Sequence, residues 1–215
     1  MKINALSFSH AKGSMQKRGL SLLNHYLNFN QLISLEDFNI PVQYSNKTDG
    51  NVPNVINEID SVLKDADALV FSASESIGHY SGGFKNMIDW LVVKDYWNNG
   101  LGSKYSFTDK PIYVFTFTPS KKTAKIPGGK RHHGLIVELL QDKMGGDVRK
   151  CFSINNCWEE LIPGNYNIVK EESEYILNDL NKYNFNKETK TKEYGNPNDW
   201  LNAYNNWNEC WKGIE

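Results

Sequence analysis

Long apolar runs, excess charge and regularly spaced cysteines are all scarce in this sequence, and each scarcity excludes a class of protein. The apolar runs, such as Ile112 to Phe115, are far too short to span a bilayer. The net charge of −1 gives no basis for binding nucleic acid or an anionic membrane surface. The three cysteines lack metal-ligand spacing, so we expect idle thiols in a reducing cytoplasm. His132 and His133 have no third ligand at a suitable spacing, and we expect no metal site.

The chain of 215 residues, with 40% hydrophobic and 23% charged residues, has the size and composition of one globular domain. Short apolar runs alternate with amphipathic helical stretches, which is typical of a parallel sheet covered by helices on both faces. We predict an α/β fold with a doubly wound parallel sheet of five strands in the order 2-1-3-4-5. The predicted strands are Ile3 to Phe8, Gln31 to Leu35, Ala68 to Ala73, Pro111 to Thr118 and Val148 to Ser153. The predicted helices begin after Ser14, Pro53 and Gly83, and two more cover Leu135 to Met144 and Val169 to Tyr183.

The segment from Ala66 to Leu91 is the most informative part of the chain. An apolar strand leads through a loop of small residues into a helix, and in open α/β sheets such loops bind ligands. The segment resembles the second flavin loop of the NAD(P)H-dependent FMN reductases of flavodoxin-like fold, T-P-E-Y-N-G-S-x-P-G-x-L-K-N-A-I-D-W. The matching residues are Glu75, Gly78, Gly82, Lys85, Asn86, Ile88, Asp89 and Trp90. The departures are Ser74 (usually Pro), Ser76 (usually Tyr) and Ile77 (usually Asn).

The first loop, Phe8 to Gln16, follows the first strand, where this family binds the FMN phosphate with the motif G-S-x-R-x-x-S-x-N. Ser9 and Ser14 match its hydroxyls, and Gln16 takes the place of the Asn. Ala11 replaces the Arg, and Lys12 or Arg18 could supply the missing charge. Ser14 could alternatively be only a helix N-cap. The resemblance implies a set of phosphate-loop residues: Ser9, Lys12, Gly13, Ser14, Met15 and Gln16. Since no G-x-G-x-x-G follows the first strand, we expect FMN rather than FAD.

The second loop would offer backbone donors and acceptors to the pyrimidine edge of the flavin ring. The residues implied there are Ser74, Glu75, Ser76, Ile77, Gly78 and His79. Glu75 could instead only order the loop, and His79 could be an ordinary solvated histidine. We expect Gly82 and Gly83 to permit close backbone approach or unusual dihedral angles.

The third loop, Thr118 to Arg131, follows the fourth strand, and the resemblance places Thr118 and Pro119 beside the flavin. Its basic cluster, Lys121 to Arg131, could receive the phosphates of a nicotinamide cofactor or could be a solvated basic loop. Aromatic residues before this strand could form a platform for flat substrates or a dimer interface. They are Tyr96, Trp97, Tyr105 and Phe107.

Two regions of the chain are distinguished by composition. We predict a flavin-binding domain over residues 1–183, and a polar linker with a C-terminal helical extension over residues 184–215. The aromatic residues of that helix share one face: Trp200, Tyr204, Trp207 and Trp211. The helix could pack on its own domain, contact a second subunit or cover the flavin site.

The resemblance implies an FMN-dependent enzyme that oxidises NADPH or NADH and passes hydride or electrons to a quinone, an azo compound, a metal oxyanion or free flavin. Because the flavin performs the chemistry, no catalytic side chain is expected. The alternative is a flavodoxin-like electron carrier or a non-catalytic flavin-binding module. The implied partners are a small-molecule electron acceptor and further copies of the chain in a homodimer or larger homo-oligomer. The first residues, from Met1, follow a strand pattern rather than that of a signal peptide, so a cytoplasmic location is expected.

Overall fold

A parallel sheet of five strands organises the structure, a computed structural model that describes residues 1–43, 51–76, 79–99, 104–119, 130–157, 161 and 164–185. The strands of this sheet are β1 (Ile3–Ser7), β2 (Gln31–Ser34), β3 (Ala68–Ser72), β6 (Pro111–Phe117) and β7 (Asp147–Ile154). They lie in the order β2-β1-β3-β6-β7, and every neighbouring pair is parallel. The predicted order and all five predicted strands are confirmed, with each strand end within one residue of its predicted position.

Helices cover both faces of the sheet, as the doubly wound pattern predicts. They are α1 (Met15–Leu27), α2 (Asn54–Asp65), α3 (Gly82–Asn99), α4 (Lys130–Val137) and α5 (Lys170–Lys182). On one face, α2, α3 and α4 bury apolar side chains, among them Ile56, Leu63, Phe84, Leu91 and Ile136. On the other face, α1 and α5 bury a second set, among them Leu20, Leu23, Ile176 and Leu180. Burial of this apolar surface on both sides is the main force that holds the layers together.

Local signals in the sequence fix the helix ends. Ser14 caps α1, since its Oγ accepts a 3.2 Å hydrogen bond from the N–H of Lys17. A wider π-helical segment, Glu138–Lys143, extends α4. It stops at Gly145, which has a φ of 72° and donates its N–H to the carbonyl of Gln141 at 3.1 Å. The predicted end of this helix at Met144 is therefore confirmed to within one residue.

A buried polar contact fixes α5 against the sheet. The phenol of Tyr113 in β6 donates to Asp179 of α5 at 2.7 Å, and Arg149 in β7 donates to the same carboxylate at 3.0 Å. The hydrogen bond from Arg149 is the main reason that the pKa of Asp179 lies below its ordinary value. Burial, together with the bond to Asp179, raises the pKa of Tyr113, so this phenol stays neutral at physiological pH.

The predicted aromatic platform and C-terminal helix are described by the structure only in part. Phe107 is fully buried in the core, and Tyr105 packs partly buried beside it, so these two residues do not form an exposed platform. The side chains of Tyr96 and Trp97, most of the 184–215 segment and its aromatic helix lie outside the described residues. Within the described ranges, none of the helices has the length and hydropathy of a membrane span. In the same ranges, no three potential ligands gather as they would around a metal ion.

Candidate functional site

Two loops leave the sheet side by side at the carboxyl ends of β1 and β3. The two strands are neighbours, with Ser7 opposite Ser72, and the N–H of Phe8 donates to the carbonyl of Ser72 at 2.9 Å. From β1 the chain continues toward β2 on one side of the sheet, whereas β3 is followed by β6 on the other side. This reversal is the switch point at which open α/β sheets form a ligand crevice.

The first loop, residues 8–14, has the form of an anion cradle at the start of α1. The N–H of Ala11 donates to Ser9 Oγ at 3.3 Å, and the N–H of Ser14 donates to the carbonyl of Ala11 at 3.2 Å. Gly13 turns the chain with a φ of 66°, a conformation that favours glycine. The N–H groups of Met15 and Gln16 then open the helix without intrahelical acceptors. This end of α1 can therefore hold a phosphate group.

Gln16 has a structural role that its sequence position did not reveal. Its side-chain Nε2 donates to the carbonyl of Phe117 at 2.8 Å, and its Oε1 accepts from the N–H of Phe117 at 3.3 Å. The carbonyl of Gln16 accepts from Ser72 Oγ at 3.3 Å. The side chain thus fixes the start of α1 to the end of β6, which leaves the backbone N–H as the group of Gln16 that can face an anion.

The second loop folds into a short antiparallel ribbon. Strand β4 (Glu75–Ser76) pairs with β5 (His79–Tyr80), with Glu75 opposite Tyr80 and Ser76 opposite His79. The N–H of Ser81 donates to the carbonyl of Ser74 at 3.1 Å and closes the ribbon at its base. Ile77 and Gly78, which connect the strands, lie outside the described residues. A ribbon of this kind was not predicted, because a small-residue loop carries no alternating apolar pattern.

Aromatic rings connect the ribbon to the core. The ring of His79 lies 4.1 Å from that of Tyr80, measured between centroids, and Tyr80 lies 5.4 Å from Phe84. Phe84 in turn contacts Phe8 at 4.7 Å in an edge-to-face arrangement. Since Phe8 begins the first loop, these contacts fix the two loops relative to each other.

Gly83 brings the same two loops into direct contact. A Cβ atom at this position would lie 2.5 Å from Cδ2 of His10 and 3.1 Å from the carbonyl oxygen of Phe8. The expectation of close approach is confirmed for Gly83. For Gly82 it is wrong, since a Cβ there would have no neighbour within 4 Å and its φ is not positive. Ser81 Oγ caps α3 beside this contact by accepting from the N–H of Phe84 at 3.3 Å.

The end of β6 joins the same edge of the sheet through His133. Its Nε2 lies 3.0 Å from Thr116 Oγ1, which donates to the carbonyl of Ala73 at 3.2 Å. Thr116 and His133 thus connect α4 to the base of the second loop. In the sequence, His133 was weighed only as a possible metal ligand. Its spacing from Thr116 follows no periodicity, so no sequence signal marked this contact.

The third loop is described only at its start. Thr118 is buried, and its backbone bonds run toward β7: its N–H donates to Ile154 at 2.9 Å and its carbonyl accepts from Cys157 at 3.1 Å. Pro119 is exposed. The basic residues from Lys121 to Gly129 lie outside the described residues.

Among the described residues, the remaining reactive groups are two cysteines in and just after β7 and a buried ion pair between α2 and α3. Burial raises the pKa of the Cys151 thiol to about 11, and the Cys157 Sγ donates to the carbonyl of Ile154 at 2.8 Å. The Cys151 thiol is therefore idle at neutral pH, as expected, and Cys210 lies outside the described residues. The buried Asp60–Lys94 ion pair joins α2 to α3, and Lys94 lies about 18 Å along α3 from the helix start at the ribbon.

The structure therefore assembles most of the described site residues at one edge of the sheet. Ser9, Gly13, Ser14 and the start of α1 form the cradle, and Ser74, Glu75 and His79 lie on the adjacent ribbon. Lys12 is exposed on the first loop. His10, Gly83, Thr116 and His133 belong to the same edge and were not among the predicted site residues.

Comparison with known proteins agrees with this arrangement. Residues 1–134 match the family described as NADPH-dependent FMN reductase. The matched range includes the cradle, the ribbon and the start of α4. No curated protein matches the chain.

Solved structures share the fold at low sequence identity. An NAD(P)H:quinone oxidoreductase from Methanothermobacter marburgensis superposes with a TM-score of 0.58 at 13% identity, over 86% of this chain and 98% of that one. FerB from Paracoccus denitrificans, a flavoenzyme NAD(P)H:(acceptor) oxidoreductase, gives 0.54 at 16% identity, over 83% and 92%. An FMN-dependent NADH-azoreductase from Bacillus anthracis, solved in complex with FMN, gives 0.54 at 13% identity, over 82% and 99%.

Proposed function

Because the chain belongs to the NADPH-dependent FMN reductase family, we propose that it is an oxidoreductase of the quinone reductase type. FMN is its cofactor, and a nicotinamide nucleotide is its electron donor. In the proposed reaction, electrons pass from NADPH or NADH through FMN to a quinone, an azo compound, a metal oxyanion or free flavin. The quinone and azo compound are the acceptors named for two of the structural neighbours, which supports this substrate range.

One observation supports this function above the others: the contact between His10 and Gly83 joins an anion cradle to a backbone ribbon at the switch point. A ligand that carries both a phosphate and a flat ring needs the cradle and the ribbon side by side. The positive φ of Gly13 forms the turn of the cradle, and the missing Cβ of Gly83 lets the two loops lie against each other, so the residues present fit FMN.

The residues of the chain bind and orient, and FMN when bound supplies a ring that accepts hydride and passes electrons on. Ser9, Ser14 and the N–H groups of Met15 and Gln16 hold the phosphate as hydrogen-bond donors. The main chain of the ribbon, from Ser74 to His79, borders the ring. Lys12, Gly13, Thr118 and Pro119 complete the proposed binding residues. No side chain is required to form a covalent bond with the substrate.

The assembly that we propose rests on the family resemblance, and the location rests on the strand pattern that begins at Met1. We propose a homodimer or larger homo-oligomer in the cytoplasm that acts on a small-molecule electron acceptor. Light scattering on the purified protein measures its mass in solution, and a monomer at working concentration would contradict the proposed assembly.

The experiment that tests the proposed activity compares FMN-loaded protein with protein stripped of flavin. Oxidation of NADPH and NADH is followed without acceptor, then with a quinone, an azo dye, chromate or riboflavin. We expect turnover with at least one acceptor, dependent on FMN loading. If the loaded protein exchanges electrons with a chemical reductant but oxidises neither nucleotide, the chain is an electron carrier and the proposed activity is wrong.

A further inference from the structure

The cradle lacks the cation that its motif normally provides. In the family motif an Arg stands at the third position after the glycine, and here that position is Ala11. An FMN phosphate is close to doubly charged at neutral pH, so backbone N–H groups alone leave most of its charge unpaired. Three basic residues lie near enough in sequence to replace the Arg: Lys12, Lys17 and Arg18.

Lys17 is already engaged by two carboxylates on the β2 side of the cradle. Its Nζ lies 2.7 Å from Glu36 Oε1 and 3.0 Å from Asp37 Oδ1. The hydrogen bond with Glu36, followed by that with Asp37, raises the pKa of Lys17. A phosphate would have to compete with both acids for this ammonium group, so Lys17 is a poor candidate.

Arg18 differs from Lys17 in the groups that surround its side chain. Its backbone N–H bonds to the carbonyl of Ser14 at 3.1 Å, which places the residue in the first turn of α1. Its side chain turns back over the loop, and Nη2 lies 3.6 Å from the position that a Cβ of Gly13 would occupy. Within the described ranges, no carboxylate lies within 4.0 Å of the Arg18 guanidinium. The group therefore faces the cradle and is available to a ligand.

Arg18 lies in van der Waals contact with the turn of the cradle at Gly13, where the φ of 66° favours glycine. A guanidinium offers a planar pair of N–H donors that fits two phosphate oxygens, whereas an ammonium offers a point charge. Lys12 lies on the exposed loop without a described contact that would orient its amine.

We infer that Arg18 is the phosphate-binding cation of this chain, relocated from the loop to the first turn of α1. This inference rests on the proposed function, because it takes the FMN phosphate as the ligand. It predicts that the cation is placed by the first turn of α1, rather than by the loop residue that the family motif would indicate.

The test measures how strongly each variant distinguishes FMN from riboflavin, which lacks the phosphate. Dissociation constants for both flavins are measured by fluorescence titration for the full chain and for Arg18→Gln, Lys12→Gln and Lys17→Gln. We expect Arg18→Gln to weaken FMN binding by roughly 10- to 100-fold, the value of a charge-assisted hydrogen bond, and to leave riboflavin binding unchanged. Lys17→Gln is the matched control, since it removes one neighbouring charge of the same sign, and it should preserve the preference for FMN.

The outcomes separate the inference from the function on which it rests. If Lys12→Gln removes the preference for FMN while Arg18→Gln retains it, Arg18 is not the phosphate ligand, although the proposed function stands. If the unmodified protein binds FMN no better than riboflavin, both are overturned. Arg18 is exposed, so thermal unfolding of the variant should match that of the parent, which separates lost binding from lost structure.

Discussion

The indole N–H of Trp90 donates a hydrogen bond to the backbone carbonyl of Pro41 at 2.8 Å. Asn86, one turn earlier in α3, donates to the same carbonyl at 3.0 Å and accepts from the N–H of Gln43 at 2.8 Å. The Asn and Trp of the K-N-x-I-D-W motif therefore attach the segment after β2 to α3. Both motif residues therefore have a structural role.

This attachment predicts graded losses of stability. Trp90→Phe removes one hydrogen bond and should lower the free energy of unfolding by about 1 kcal/mol, whereas Asn86→Ala removes two and should lower it by about 2 kcal/mol. Lys85→Ala, which breaks an exposed pair with Asp89 on the same helix, should change it by less than about 0.5 kcal/mol. Urea denaturation measures all three. Equal values for Asn86→Ala and Lys85→Ala would show that the attachment contributes nothing.

The neighbouring glycines at the start of α3 provide a matched pair for the flavin site. Gly83→Ala introduces a Cβ 2.5 Å from the His10 ring, so the two loops must separate and FMN affinity should fall about tenfold, as for 1.4 kcal/mol of lost contact. Gly82→Ala meets open space and should bind FMN like the parent. His10→Ala in the Gly83→Ala background should restore part of the affinity. If Gly82→Ala weakens FMN binding as much as Gly83→Ala does, the His10 contact is irrelevant to the site.

Two helical glycines predict stability changes of opposite sign. A Cβ at Gly19 in α1 would lie 2.2 Å from the buried ring of Phe117, so Gly19→Ala should lower the free energy of unfolding by about 1–3 kcal/mol. Gly134→Ala in α4 meets no atom within 4 Å and should raise it by up to about 1 kcal/mol through helix propensity. Thermal or urea unfolding distinguishes them. A stabilising Gly19→Ala would mean that Phe117 does not pack against α1 in this way.

The strands and their order followed directly from the sequence, because five apolar runs separated by helical patterns leave few topologies. The α1 cap at Ser14 and the helix stop at Gly145 were also readable, since both depend on local backbone chemistry. The family match over residues 1–134 confirmed the resemblance drawn from the Glu75 to Trp90 motif.

Contacts between residues that are distant in sequence could not be predicted. Gln16 resembled a phosphate ligand by position, but its amide bonds to Phe117, which lies 101 residues away in sequence. The contacts of His10 with Gly83 and of His133 with Thr116 likewise depend on how three loops meet, which no periodicity encodes. The ribbon from Glu75 to Tyr80 is too short to show strand alternation.

The buried charges between α2 and α3 predict a pH dependence of stability. Burial pushes the pKa of Asp60 upward, but hydrogen bonds from Lys94 at 2.6 Å and Lys64 at 2.9 Å outweigh it, and its pKa lies below the ordinary 3.8. A carboxylate with a depressed folded-state pKa stabilises the protein above about pH 4, and this contribution is lost as the pH falls through the folded-state value. Asp60→Asn should therefore cost about 3 kcal/mol at pH 7 and less at pH 3.

For Asp95 we predict the opposite effect on stability at neutral pH. Burial, and next the charge of Asp60, raises its pKa, so its ionised form is disfavoured in the folded state and lowers stability at neutral pH. Asp95→Asn should leave the free energy of unfolding unchanged or higher at pH 7, and any gain should vanish below about pH 4. Urea denaturation at pH 7 and pH 3 compares the two variants. If Asp95→Asn destabilises as strongly as Asp60→Asn at pH 7, then the attraction to Lys94, 3.9 Å away, outweighs the burial of Asp95 and this prediction is wrong.

A negative charge placed at the cradle should repel the phosphate. In Ser14→Glu a carboxylate replaces the N-cap hydroxyl, and we expect FMN affinity to fall by at least about tenfold while riboflavin affinity changes little. Ser21→Glu adds the same charge to the exposed side of α1 and should bind FMN like the parent. Equal FMN affinities for the two variants would place the phosphate elsewhere.

The most direct test of the account is an anaerobic titration of the purified protein with FMN, followed by NADPH or NADH. We predict that FMN stays with the protein through gel filtration, at about one flavin per chain, and that the nucleotide bleaches the visible absorption of the bound flavin. The extracted flavin should be FMN and not FAD. Protein that fails to retain FMN, or whose bound FMN neither nucleotide reduces, would contradict the account.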